Sequence, residues 1–178
     1  RSDESYISRF FNQYGSPNVA MGGAEMCWCP TYSIESATFG QFGATSTAPN
    51  TQCVVFWGRN PAQCGDFPEH WGYSQLFANN PDAKIIVVDP RCTEYAARAD
   101  IWLRLRPGTD GALALGWMNV IINEELYNKE FVEKWTYGFD QLKEAVQAYT
   151  PEKVAEITWV PAAKIRAAAR MYATIRPC

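Results

Sequence analysis

Two short apolar runs constrain the fold of this chain more than any other feature of its sequence. They are "CVVFW" (residues 53–57) and "KIIVV" (residues 84–88), and a helical segment, "EHWGYSQLFANN", lies between them. Apolar runs of about four to eight residues with turn signals on either side are typical of strands buried on both faces. Strands that alternate with helices form a parallel sheet covered by helices on both sides. We therefore predict an α/β fold, a three-layer αβα arrangement with a mostly parallel, Rossmann-like sheet.

The flanking segments extend this pattern. A third strand is predicted in "DIWLRLRPG", preceded by a short helix in "CTEYAARA". Downstream, apolar residues recur at helical spacing after Thr109, which we expect to cap a helix that has Asp110 in its first turn. Four further helices are predicted in residues 129–175, and others over residues 3–14 and 34–42.

The chain divides into three segments. Residues 1–17 contain a helix that we assign to a preceding domain, and residues 53–178 form the α/β domain with its helical tail. Between them, residues 18–52 are irregular but carry several large apolar side chains, so we expect them to pack against other parts of the protein. The chain has no initiator Met and its first helix is already under way at its start, so we interpret it as an excerpt of a longer protein.

Composition excludes several functions. The net charge of -3 and the pI near 5.2, without a cluster of Lys or Arg, disfavour a nucleic-acid partner. The longest apolar runs are of strand length, far short of the roughly 20 residues of a membrane span. With 47% hydrophobic residues, the chain is expected to bury a core and to be ordered.

The cysteines indicate free thiols and one close pair. They lie at positions 27, 29, 53, 64, 92 and 178. Cys53 opens an apolar strand, so we predict buried free thiols at Cys53 and Cys92. A structural zinc usually needs four Cys or His ligands in two close pairs, and this chain has one close pair and one His. The close pair, in "MCWCPTYS", remains either a metal ligand with its neighbour or two packed thiols.

Three loops at the ends of the predicted strands could bind a ligand. In open parallel sheets, ligands bind beyond the carboxyl ends of the strands. The candidates are Gly58 and Asn60 in "WGRNPAQ", Asp89 and Arg91 in "VDPR", and Gly108, Thr109 and Asp110 in "RPGTDGA". Glycine lets the backbone approach an anion, a guanidinium suits phosphate, and carboxylate or amide groups suit sugar hydroxyls or a guanine edge. Each loop alone is also typical of an ordinary turn. The three loops together favour a domain that binds a nucleotide-type ligand over a scaffold that binds none.

A nicotinamide cofactor is the main alternative ligand for these loops, and the sequence disfavours it. It would need a G-x-G-x-x-G motif after the first strand and an acid about 20 residues later. The chain has "GRNPAQCG" there, and Asp89 lies too far beyond Gly58.

The order of these motifs resembles a known family. The segments "VVFWGRNPAQ", "KIIVVDPRCTEYAARADIWLRLRPGTDGALALGWMNVIINEELY" and "YTPEKVAEITWVPAAKIRAAARMYA" resemble the dimethyl sulfoxide reductase superfamily of molybdenum and tungsten enzymes. Within it the chain is most similar to the acetylene hydratase-like subgroup, through "GSPN", "MC" and "KEFVE". The resemblance implies a bis-molybdopterin guanine dinucleotide cofactor.

The resemblance also implies roles for individual residues. In the family, the dithiolene sulfurs of two pterins and one protein side chain bind the metal, and the spacing to "TFG" (residues 38–40) places that ligand at Cys27. Cys29 is then a neighbour of the metal ligand, and the alternative in which Cys29 is itself the ligand is less favoured. Trp28 shapes the pocket over the metal. The three strand-end loops hold one guanine dinucleotide arm, which makes residues 18–52 the metal-ligand region and residues 53–178 a dinucleotide-binding domain.

The function implied is that of an oxidoreductase containing molybdenum or tungsten, of which this chain is an excerpt. One alternative is a non-redox hydratase of the acetylene hydratase type, and another is a non-enzymatic nucleotide-binding scaffold. Expected partners are the remaining domains of the enzyme, a small-molecule substrate and an electron-transfer subunit, with an iron–sulfur cluster bound outside this chain. We expect the excerpt alone to bind cofactor poorly and to be inactive. For the compartment, the cytoplasm is favoured over the periplasm.

Overall fold

The computed structural model of the chain describes residues 3–17, 29–40, 48–63 and 67–178. The chain divides into two compact units, Arg1–Thr45 and Ser46–Cys178. The described part of the first unit contains two helices, α1 (Asp3–Tyr14) and α2 (Cys29–Phe39). Helix α1 has its predicted bounds. Helix α2 begins earlier than predicted, because Pro30 lies in its first turn, where a helix does not need the missing N–H.

The second unit is built on a three-stranded parallel sheet. Its strands are β1 (Cys53–Trp57), β2 (Lys84–Val88) and β3 (Ile101–Leu103), in the order β1-β2-β3. Trp57 pairs with Val88, and Val88 pairs with Leu103, so all three strands end on one line. The α/β class and the parallel sheet predicted from the apolar runs are confirmed.

Helices cover this sheet and extend beyond it. They are α3 (Phe67–Asn79), α4 (Asp110–Asn123), α5 (Lys129–Trp135), α6 (Phe139–Ala145), α7 (Pro151–Thr158) and α8 (Ala162–Thr174). The short helix predicted after β2 is only a 3₁₀ turn, Ala96–Arg98. Among the helices in the described ranges, none combines the length and the apolar character that a membrane crossing requires.

The two faces of the sheet bury different side chains, which confirms the three layers. On one face, Ile86 and Val88 of β2 pack in a cluster with residues of α4, α7 and α8, namely Leu113, Trp117, Val154, Ile165 and Ala168. On the other face, Ile85 and Val87 pack with Phe56 of β1 and with residues of α3 and the 3₁₀ turn, namely Tyr73, Leu76, Tyr95 and Ala96. Alternation along β2 therefore buries both faces of this central strand.

Two local predictions need correction. Thr109 occupies the N-cap position of α4, but its hydroxyl donates to the Arg106 carbonyl oxygen at 2.6 Å and does not cap a helix N–H. Asp110 lies in the first turn of α4 as predicted. Cys53 is a buried free thiol as predicted, whereas Cys92 is exposed because it lies on a turn beyond the buried part of β2.

Helices α4 and α7 meet at a glycine. A Cβ at Gly116 would lie 3.0 Å from Val154 Cγ2 and 3.1 Å from its Cγ1. Val154 is fully buried, and a β-branched side chain in a helix has one strongly preferred rotamer. Val154 therefore has little freedom to move away, and Gly116 sets the distance between the two helices.

We expect Gly116→Ala to lower the free energy of unfolding by about 1–2 kcal/mol, because crowding against Val154 outweighs the better helix propensity of alanine. The matched control is Gly111→Ala in the same helix, where the added Cβ would have no described atom within 4 Å apart from its chain neighbours and the backbone of α4. That variant should be more stable than the parent by up to about 1 kcal/mol. Urea denaturation followed by tryptophan fluorescence measures both, and equal stabilisation by the two substitutions would contradict the packing argument.

Candidate nucleotide site at the sheet edge

The in-register ends of the strands bring three loops to one edge of the sheet. We call residues 58–63 the first loop, residues 89–95 the second loop and residues 104–109 the third loop. Gly58 N–H donates to the Val88 carbonyl oxygen at 2.8 Å, and Asp89 N–H donates to the Leu103 carbonyl oxygen at 3.3 Å. The first and second loops therefore each start from a point that is hydrogen-bonded to the neighbouring strand.

Two predicted glycines adopt backbone conformations that favour glycine. Gly58 has φ +60° and Gly108 has φ +81°, both in the left-handed region. Among the residues that the structure describes, no atom other than those of the glycine and its two chain neighbours lies within 4 Å of the position that a Cβ would take at either residue. The first and third loops thus leave open space beside their backbone, as close approach by a ligand requires. The N–H of Gly58 itself is already used by the sheet.

Asp89 and Arg91 form a unit within the second loop. Asp89 is only 3% exposed, and its Oδ1 accepts the backbone N–H of Arg91 at 2.7 Å. Arg91 Nε lies 3.6 Å from the same oxygen, while the Arg91 side chain is 69% exposed. The carboxylate therefore shapes the turn and holds the guanidinium, which remains open to an anion. Direct binding of sugar hydroxyls by Asp89 stays a prediction.

Asp110 is connected to the end of β1. The indole Nε1–H of Trp57 donates to Asp110 Oδ1 at 2.9 Å, and Asp110 is exposed. This bond fixes the start of α4, and so the end of the third loop, against the start of the first loop. Trp57 was not among the candidate residues, because a tryptophan at the end of a buried strand gives no sign of its partner.

Asn60 and Gln63 of the first loop bind Glu94 of the second loop. Asn60 is 3% exposed, and its Nδ2 donates to Glu94 Oε2 at 2.9 Å. Gln63 Nε2 donates to Glu94 Oε1, also at 2.9 Å. The hydrogen bond from Asn60 is the main cause that holds the pKa of Glu94 below its usual value. The sequence analysis missed Glu94, and its only signal was an acid soon after "VDPR" together with amide side chains in the preceding loop.

These groups together suit one arm of a dinucleotide. An exposed guanidinium matches phosphate oxygens, an exposed carboxylate matches the N–H groups of a guanine, and open backbone at two glycines admits a close ligand. Beside Arg91, an open cavity of about 320 Å³ has a mixed polar and apolar lining. It is lined by Gln63, Arg91, Cys92, Thr93, Glu94 and Ala97. The chemistry of these donors and acceptors therefore fits a guanine dinucleotide.

The predicted metal ligand lies outside the residues that the structure describes. Cys27 and Trp28 belong to residues 18–28, which are not described, and Cys29 is the first residue of α2. Within the described ranges, no group of three His, Cys, Asp or Glu side chains could hold a metal ion. The assignment of Cys27 and Trp28 stays a prediction.

Comparisons with known proteins agree on one family. A family model described as molybdopterin oxidoreductase matches residues 3–172. The chain is 45% identical to acetylene hydratase of Syntrophotalea acetylenica over 99% of its own length and 24% of that protein. It is 43% identical to formate dehydrogenase H of Escherichia coli (strain K12) over 74% of its own length and 18% of that protein. The chain also matches the solved structure of acetylene hydratase from Pelobacter acetylenicus, with a TM-score of 0.81 at 44% identity. The match covers 98% of this chain and 23% of the acetylene hydratase chain.

These matches also set the scale of the chain. It spans about a quarter of the length of the curated relatives that it matches.

We expect Asp89→Ala to lower the free energy of unfolding by about 1–3 kcal/mol, because it leaves the N–H of Arg91 without its acceptor in a buried turn. Asp89→Asn should cost less, since its amide oxygen can still accept that N–H. The control is Asp82→Ala at an exposed turn position, which should stay within about 0.5 kcal/mol of the parent. Thermal and urea denaturation measure these differences, and a neutral Asp89→Ala would show that this bond does not hold the loop.

Proposed function

Because the chain belongs to the molybdopterin oxidoreductase family, we propose that it forms one dinucleotide-binding lobe and the metal-ligand segment of a larger molybdenum or tungsten enzyme. Enzymes of this family bind molybdopterin guanine dinucleotide with molybdenum or tungsten. The observation that carries the proposal is the convergence of Arg91, Asp110 and the open backbone of Gly58 and Gly108 at one edge of the sheet.

Each strand-end loop has a distinct part in holding the dinucleotide. Arg91, oriented by buried Asp89, binds phosphate oxygens through its exposed guanidinium. Asp110 accepts N–H groups of the guanine, while Trp57 keeps its carboxylate in place. The hydroxyl of Thr109 and the amide of Asn60 add neutral hydrogen bonds to the ligand.

The metal end of the cofactor is assigned to Cys27. A thiolate is a soft ligand, and it suits a metal that already carries sulfur ligands. Trp28, adjacent in sequence, would narrow the space above the metal and restrict the size of the substrate. The bound metal supplies either two-electron redox chemistry or activation of a water molecule, and the protein supplies orientation and electrostatics.

Two reactions are candidates for the whole enzyme. The match to formate dehydrogenase H favours net oxidation or reduction of a small molecule, with a redox partner protein. The match to acetylene hydratase over nearly the whole chain favours hydration without net redox change. Turnover of the full-length enzyme with artificial electron acceptors, compared with hydration of acetylene, separates the two.

We expect Cys27→Ala in the full-length enzyme to lower turnover at least about tenfold and to reduce the molybdenum or tungsten bound per chain, because the metal loses its protein ligand. Cys29→Ala is the matched control and should keep most of the metal. Inductively coupled plasma mass spectrometry measures the metal. Loss of metal in the Cys29 variant with retention in the Cys27 variant would reverse the assignment.

We expect Arg91→Ala to weaken binding of the guanine dinucleotide about tenfold to a hundredfold, since a charge-assisted hydrogen bond contributes about 1.5–3 kcal/mol. The dinucleotide retained by the full-length enzyme can be quantified as the guanosine monophosphate that acid hydrolysis releases per chain. Arg170→Ala removes an arginine that pairs with Glu124 on the helices, and it should leave the content unchanged. Equal content in both variants would exclude Arg91 from the binding site.

A further inference from the structure

Glu94 connects the first and second loops through its carboxylate. Its two carboxylate oxygens each accept one amide N–H, from Asn60 and from Gln63, both at 2.9 Å. Both donors belong to the first loop, and Glu94 belongs to the second. The carboxylate is therefore a bridge between loops that follow different strands.

The turn that carries Glu94 is itself held in place. The preceding residue, Thr93, is buried, and its Oγ1 accepts the backbone N–H of Ala96 at 3.1 Å. The next residue, Tyr95, is fully buried and stacks on Phe56 of β1 with ring centroids 4.2 Å apart. Glu94 thus projects from a backbone that the core anchors on both sides.

A carboxylate in this position selects one orientation of each amide. An ionised carboxylate only accepts hydrogen bonds, whereas the two ends of an Asn or Gln amide are a donor and an acceptor of nearly equal shape. Glu94 therefore draws the nitrogen ends of Asn60 and Gln63 toward itself. The usual pKa of a glutamate already lies well below neutral pH, and the bond from Asn60 holds the pKa of Glu94 lower still, so the side chain is ionised there.

The bridge lies beside the groups that would meet the ligand. Gln63, Arg91 and Glu94 line the same open cavity. A carboxylate in the wall of a phosphate site would be unfavourable by its charge alone. Here each oxygen instead accepts one amide N–H from the first loop, which points to a part in holding that loop and not in contacting the phosphates.

We propose that Glu94 is a positioning residue, which holds the amides of Asn60 and Gln63, and with them the first loop, in the conformation that receives the dinucleotide. This inference rests on the proposed function. It assigns Glu94 no contact with the cofactor, and its effect passes through the two amides.

The test uses Glu94→Gln in the full-length enzyme. The substitution keeps the volume but turns one acceptor into a donor, so only one of the two amides can still be held. We expect the guanine dinucleotide to dissociate about tenfold faster. Amide hydrogen exchange, measured by mass spectrometry, should also accelerate in residues 58–63 but not in β2. Glu130→Gln, at an exposed glutamate bonded to Lys134 on α5, is the matched control and should change neither quantity.

A multiple variant separates positioning from general destabilisation. With Asn60 and Gln63 both replaced by alanine, Glu94 has no amide to hold, and adding Glu94→Gln should accelerate dissociation no further. A full additional effect in that background would overturn the inference.

The outcomes also separate this inference from the proposed function. If Arg91→Ala accelerates dissociation while Glu94→Gln alters neither dissociation nor exchange, the positioning role is wrong and the dinucleotide site stands. If neither Arg91→Ala nor the Asn60 and Gln63 variant affects dissociation, both the site and the positioning role are wrong.

Discussion

The pairing of β2 with a parallel neighbour on each side is the constraint on which the candidate site depends. Trp57, Val88 and Leu103 lie side by side at the ends of their strands, and backbone hydrogen bonds continue from Gly58 to Val88 and from Asp89 to Leu103. A shift of one residue in either pairing would turn the side chains of a strand to the opposite face and displace its loop. Burial of β2 on both faces prevents that shift, because each face has its own closely packed cluster.

Side chains then connect what the strands bring together. Trp57 at the end of β1 binds Asp110 at the start of α4, and Glu94 of the second loop binds two amides of the first loop. Trp102 Nε1–H donates to the Asp89 carbonyl oxygen at 2.8 Å. Much of the ordering of these loops therefore occurs on folding. A ligand that binds there loses less free energy to immobilising them than it would on independent loops.

The sequence predicted the parts of this arrangement that follow from burial. Strands buried on both faces must be apolar throughout, so "CVVFW" and "KIIVV" indicated the sheet, and the sheet indicated the three loops. It did not predict side-chain partners, because those depend on distances across the fold. Trp57 and Asp110 are 53 positions apart, and Asn60 and Glu94 are 34 apart. The Thr109 hydroxyl, which was expected to cap α4, differs for a local reason, because it donates to the Arg106 carbonyl oxygen three residues earlier in the same turn.

The bridge at Glu94 has a consequence for how such a site can diverge. Because one carboxylate serves two amides on another loop, replacing Glu94 leaves the buried amide of Asn60 without its acceptor, and replacing either amide leaves one Glu94 oxygen without its protein donor. Evolutionary change where the first and second loops meet is thus expected to proceed by coordinated substitutions. A new residue at position 94 should be accompanied by new residues at positions 60 and 63. Arg91 is held by Asp89 within its own turn, so it lies outside that coupling and can adapt to a different anion independently.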